Sequence, residues 1–260
     1  MRRPRLFEFH EQPWVPAIVR DSVVESLYHL VRQRGMLAGL IGPLVTFLER
    51  TGTTRVLDLC SGAGGVALIL AEELARRGHE APRIALSDFY PKVDVWEAAR
   101  ESLQLDFDYV TESVPAEDVP ADVAQGCPRM ISNAFHHFPP DTARAILADA
   151  MANSPGIFIS ESFPPGWRGF LSMLWPKPWV PPALPWLTRT DKAKKFALTL
   201  LVPVIPAALI FDGAVSTLRM YREDEFHELV APLGDAFEWV YGTCPQGGLD
   251  CATFFYGVRR

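Results

Sequence analysis

Residues 56–65 read VLDLCSGAGG: a short apolar run, then a turn crowded with glycine. The helical pattern VALILAEELARR follows and stops at Gly78. A glycine turn between a strand and a helix lets backbone approach a ligand closely, and the helix N-terminus favours negative groups. Gly62, Gly64 and Ala67 fit the dinucleotide spacing G-x-G-x-x-[GA], with Asp88 downstream at the end of a second strand pattern. Asp58 sits inside the first strand, four residues before Gly62. A pyrophosphate has little use for a carboxylate there, whereas a cationic, amine-bearing ligand does.

Downstream of the turn, RIALSD, FDYVTESV, RMISNAF and GIFISES read as further strands. VDVWEAARESL and DTARAILADAMAN read as helices between them, the second with Asp141 as an N-cap. FEWVYGTC and CATFFYGVRR read as a closing antiparallel pair. Strands alternating with helices predict parallel βαβ units in an open, doubly wound α/β sheet. Before the turn, VRDSVVESLYHLVRQ and LAGLIGPLVTFLER carry helical spacing, so residues 1–52 are expected to form an N-terminal helical cap on a domain spanning 53–260. Residues 163–211 interrupt the pattern with prolines and tryptophans, a long excursion of the kind that serves as a lid, substrate wall or docking surface.

The strand, its acid and the glycine turn resemble motif I of the class I S-adenosylmethionine-dependent methyltransferases. The order of elements agrees from about residue 55 to 161. The resemblance implies a Rossmann-like, mostly parallel seven-stranded sheet that binds S-adenosyl-L-methionine. It implies that Asp58 organises the methionine amino end and that Gly62 and Gly64 form the turn under the cofactor. Asp88 would take the ribose hydroxyls, with Phe89 beside the adenine. Residues 115–120, PAEDVP, with Ala116 and Glu117, would border the adenine, and Asn133 would lie near the methionine end. Two positions depart from the family. Cys60 stands where its first glycine is usual, which is tolerable if Cys60 takes an ordinary backbone conformation. Pro115 stands where an adenine-binding Asp is usual, so the adenine amino group would meet a carbonyl, water or Glu117.

After the fourth strand comes FHHFPPDTARAIL. It resembles the segment in which plant-type small-molecule O-methyltransferases carry a catalytic histidine, and His136 takes that place as general base. Alternation along a strand would put His136 and His137 on opposite sides, with His137 the structural or substrate-contacting one. No metal is expected: a catalytic zinc needs three protein ligands, and neither His10, His29, His79 and His227 nor a C-x-x-C motif completes a set with the pair. In this architecture Trp14, the insertion and residues 216–221, STLRMY, with Tyr221, would surround a largely apolar or aromatic acceptor. Glu161, at the end of strand five, would orient it.

The bulk numbers bound the rest. With 31 acidic and 25 basic side chains the formal charge is −6, which argues against a dedicated nucleic-acid binder. The basic start is followed by no apolar leader segment, so a cytoplasmic protein with free thiols is expected, without a Cys244–Cys251 disulfide. Residues 196–211, FALTLLVPVIPAALIF, would span roughly 24 Å as a helix against a hydrocarbon core of about 30 Å, and Pro203 and Pro206 interrupt them. They read as a buried or interfacial segment, compatible with peripheral contact at a membrane. Two other functions compete: a cofactor-binding protein of this fold that does not methylate, and a nicotinamide-dependent dehydrogenase, against which Asp58 argues.

Overall fold

In the computed structural model, which describes residues 6–33, 35, 37–102, 106–124, 126–174, 185–188, 190–247 and 250–260, the first strand of the pattern is central. In β1 (Arg55–Leu59) every residue after Arg55 is buried. A strand covered on both faces belongs in the middle of a parallel sheet. β1 pairs in parallel with β2 (Arg83–Leu86) on one side and β4 (Arg129–Ser132) on the other. β3 (Phe107–Tyr109) flanks β2, and β5 (Gly156–Glu161) flanks β4. The hairpin of β6 (Phe237–Gly247) and β7 (Asp250–Arg259) closes the sheet, with β7 antiparallel to β5. The seven strands run β3-β2-β1-β4-β5-β7-β6. The order reverses between β1 and β4, and the crevice outside the carboxyl ends of such strands is where open α/β sheets bind ligands.

Two apolar cores cover the sheet. One joins Phe47 of α2 (Ile41–Thr51), Leu70 of α3 (Gly65–Arg76) and Trp96 of α4 (Val93–Ser102) to Phe158. The other joins Leu57, Phe255 and Ile146, the last on α6 (Pro140–Asn153), which follows the short α5 (Ala121–Ala124). Each such fully buried side chain contributes about 1.5–3 kcal/mol. A third cluster sets Val19 and Val23 of α1 (Ala17–Gln33) against Ala208 and Leu209. This last contact folds the N-terminal segment over the end of the sheet.

Beyond β5 lie α7 (Trp167–Leu174), α8 (Lys192–Phe196), a π-type turn (Ala197–Leu201), α9 (Val204–Arg219) and α10 (Glu223–Val230). The proline- and tryptophan-rich centre of the expected insertion, 175–184, lies outside the described residues. Within 196–211 the chain breaks before α9, and Leu201 and Val202 are 70% and 60% exposed, so this stretch is not buried as a whole. Among the described residues no single helix is long and apolar enough to cross a membrane; Lys192–Leu201 and Val204–Arg219 pass only as a pair bent by 72°. One expected cap is corrected. The residue before α6 is Pro139, and Asp141 lies in the first turn, because Pro140 has no N–H to leave unsatisfied at the helix start. Cys244 and Cys251 sit on the two strands of the closing hairpin and are not joined in a disulfide.

Candidate active site

Asp58 is 2% exposed. Its Oδ2 accepts the Ser61 hydroxyl at 2.6 Å, while Oδ1 is buried and has no hydrogen-bond partner among the described residues. Burial pushes this carboxyl up to about 7, against the Ser61 bond and with help from the Asp88 charge. A buried carboxylate oxygen without a donor is costly, and a cationic ligand relieves the cost.

The turn beyond it is held from both sides. Asp88 accepts the Gly62 N–H at 2.8 Å and the Tyr90 N–H at 2.8 Å, and the Trp96 indole donates to the Gly62 carbonyl at 3.0 Å. A side chain at Gly62 would meet no atom within 4 Å, so the space over the turn is open to a ligand. Burial raises the Cys60 thiol, and the Asp88, Asp58 and Glu117 charges raise it further. Phe89 and Glu117 are exposed beside this crevice, whereas the Ala116 side chain packs into the core.

The condition that Cys60 keep an ordinary backbone is not met. Its φ is +57°, in the left-handed region, and Gly62 and Gly64 follow at +52° and +77°. A side chain there costs about 1–2 kcal/mol. At Gly64 an added Cβ would also lie 2.8 Å from Cδ1 of the fully buried Leu86. The two substitutions should therefore have opposite signs. Gly64→Ala is expected to lose about 2 kcal/mol of stability and Cys60→Gly to gain about 0.5 kcal/mol in urea denaturation. A loss in both would show that Cys60 contributes more through packing than it costs in strain.

The histidine pair lies in a 3-10 turn, Phe135–His137, rather than on a strand. Strand alternation therefore does not separate the two rings, whose centroids are 4.1 Å apart, and both line one cavity. His136 is buried. Its Nδ1 lies 3.0 and 2.9 Å from the two Glu161 oxygens, and its backbone N–H donates to Glu161 Oε1 at 3.1 Å. Glu161 thus holds the histidine. Burial lowers His137, and so does the neighbouring His136, although Glu11 stands 2.5 Å from its Nδ1. Burial alone would raise Glu11, but His137 and Arg219 bring it down to about 2.

Around the same cavity stand Asn133, Phe163, Leu209, Ser216 and Met220. Asn133 takes a left-handed φ of +54°, and its amide is engaged by Ser162 through bonds of 2.8 and 2.7 Å. Two expected substrate residues lie elsewhere. Trp14 is 65% exposed in a cluster with Phe7 and Phe9, and the Tyr221 hydroxyl donates to the Phe138 carbonyl while its ring packs on Phe135 and Phe226. Glu8, His10, Asp212 and Arg219 carried no sequence signal for the site. Asp212 on α9 accepts the Phe9 and His10 N–H groups at 2.6 and 3.0 Å and pins the N-terminal segment over the cavity. Arg219 donates to Glu8 at 3.1 Å and to Glu11 at 3.3 Å.

No family model matches the chain, and no curated protein sequence does. Solved structures do resemble it. Magnesium protoporphyrin IX methyltransferase from Synechocystis PCC 6803 with bound SAM gives a TM-score of 0.51 at 12% identity, over 99% of this chain and 100% of that one. The plantazolicin methyltransferase BpumL in complex with SAH gives 0.51 at 11%, over 96% and 94%. Human N-acetylserotonin methyltransferase in complex with SAM gives 0.50 at 15%, over 97% and 62%. At these identities the likeness is one of architecture. The chain has the fold of the class I S-adenosylmethionine-dependent methyltransferases.

Proposed function

We propose that the protein binds S-adenosylmethionine over the glycine turn and transfers its methyl group to a small acceptor held beside His136. The observation that carries this is Asp58: a buried carboxylate with one oxygen lacking a donor, beside an open turn of left-handed residues. That chemistry fits an ammonium group, whereas a pyrophosphate placed at the turn would be repelled by it. Asp58 would hold the methionine amino end and Asp88 the ribose, with Phe89 and Glu117 at the adenine. The cofactor supplies a methyl group already activated by its positive sulfur.

The chain then has two tasks, alignment and removal of a proton. With Glu161 against Nδ1 of His136, Nε2, which lies 3.8 Å from Glu8 Oε1, would serve as the base. An acceptor hydroxyl of pKa about 10 must lose its proton near pH 7, which costs about 4 kcal/mol. A positioned base offsets part of that, typically 10²- to 10⁴-fold in rate. The need for a base favours an oxygen acceptor. The walls supplied by Val23, Leu27, Phe163, Leu209 and Met220 suit an apolar or aromatic one. The cavity is about 70 Å³, well below the 300–1,000 Å³ of common ligand pockets, so an acceptor of ordinary size needs it to widen. Incubation with methyl-labelled cofactor and a panel of small phenols, alcohols and amines tests the reading. Labelled product with matching release of demethylated cofactor is expected. Bound cofactor without turnover on any acceptor would favour a non-methylating protein of this fold.

Exposed apolar side chains favour a lipid surface as the place where such an acceptor is met. Trp186, Phe196, Leu200, Leu201, Val202 and Val204 are all exposed around the break before α9, with Lys192 and Lys194 beside them. Co-sedimentation with anionic liposomes is expected, and the double variant Leu201→Glu, Val202→Glu should reduce it tenfold or more, since each buried leucine contributes about 1.5–3 kcal/mol. Absence of co-sedimentation for the intact protein would remove this part of the reading.

A further inference from the structure

Glu8, His10 and His137 each place one ligand-type atom within 4.8 Å of the others, at the wall of the cavity. We infer that these three residues form a site for one divalent transition-metal ion. Two imidazoles and a carboxylate are the donor set that zinc and its neighbours take in preference to magnesium or calcium. The surroundings are those of a metal site. His10 Nδ1 lies 3.0 Å from Asp212 Oδ2, and His137 Nδ1 lies 2.5 Å from Glu11 Oε1. A carboxylate on one ring nitrogen is the arrangement that orients a ligating histidine and leaves the other nitrogen for the metal. Arg219 holds Glu8 through Oε1 at 3.1 Å.

Charge points the same way. Arg219 pairs with Glu8 and Glu11, while Asp212 lies against the His10 ring, so these three carboxylates carry more negative charge than that guanidinium offsets. Ligand atoms on bonds of about 2.1 Å stand roughly 3.4 Å apart in a tetrahedral site, so closure from 4.8 Å needs side-chain rotation and no change of fold. The site shares its cavity with His136, but none of its residues belongs to the glycine turn, and metal uptake can be read without methyl transfer.

Untagged full-length protein, stripped with EDTA and titrated calorimetrically with zinc chloride, is expected to take up one ion per chain at micromolar affinity or better. His10→Ala and His137→Ala should each weaken uptake at least tenfold, with folding checked by circular dichroism, and His29→Ala should leave it unchanged. Cobalt(II) titration supplies a second reading, a visible absorption band that saturates at one equivalent, and does not require a variant. No saturable zinc uptake, no such cobalt band, or uptake that survives in folded His10→Ala and His137→Ala proteins would overturn the assignment.

Discussion

Asp58→Asn is expected to raise the Tm of the ligand-free protein and, in the same molecule, to weaken S-adenosylmethionine binding about 30-fold or more. In the unfolded chain the Asp58 carboxyl ionises near its ordinary 3.8, whereas in the fold burial keeps it protonated until about pH 7. Between those values the folded state binds the extra proton. The fold therefore loses stability as pH rises through that window and carries the full cost above it. At about 1.36 kcal/mol per pH unit that cost is about 4 kcal/mol. Asparagine cannot ionise, so the variant should gain most at pH 8, on the order of 10 °C in Tm for a domain of this size, and nothing near pH 4. The loss in binding follows because truncating one partner of a buried charge pair costs about 2–5 kcal/mol. Scanning calorimetry from pH 4 to 8 reads the first effect and titration with cofactor the second. A variant that is less stable at pH 8 would show Asp58 to be a structural acid serving Ser61.

The second large effect is on turnover. His136→Gln should lower the rate of methyl transfer about 10²- to 10⁴-fold on an acceptor identified by the labelled-methyl screen, and should leave the cofactor Kd unchanged. Glutamine is the informative replacement because its amide can still donate to Glu161. Alanine would strand a buried carboxylate, a change that commonly costs about 3–5 kcal/mol of stability. Glu161→Gln should lose less, since the base remains and only its orientation is relaxed. Equal damage to cofactor binding and turnover in His136→Gln would place the histidine in the fold rather than in the chemistry.

How much of this was legible in sequence depended on distance along the chain. β1, the glycine turn and α3 are contiguous, so Asp58, Gly62 and Gly64 declared a ligand site without any long-range knowledge. Asp88 was legible because β2 lies parallel beside β1, with Leu86 opposite Asp58. His136 and Glu161 each drew attention, but not as a pair. Their partnership follows from β4 and β5 lying in parallel register, Ser132 opposite Ser160, which brings the two strand ends together. Glu8, His10, Asp212 and Arg219 were silent because only the packing of the N-terminal segment on α9 joins them, across some two hundred residues. Cys60 was misjudged because a residue's type does not reveal its φ. The turn's shape is set by Asp88 and Trp96 gripping Gly62, and Cys60 follows it at the cost of strain.

Titration calorimetry of the purified protein with S-adenosylmethionine, run beside Asp88→Ala, decides whether the glycine turn holds the cofactor. One site per chain, with binding lost or weakened at least tenfold in the variant, is the predicted result. No heat of binding, or equal binding by both proteins, would contradict it.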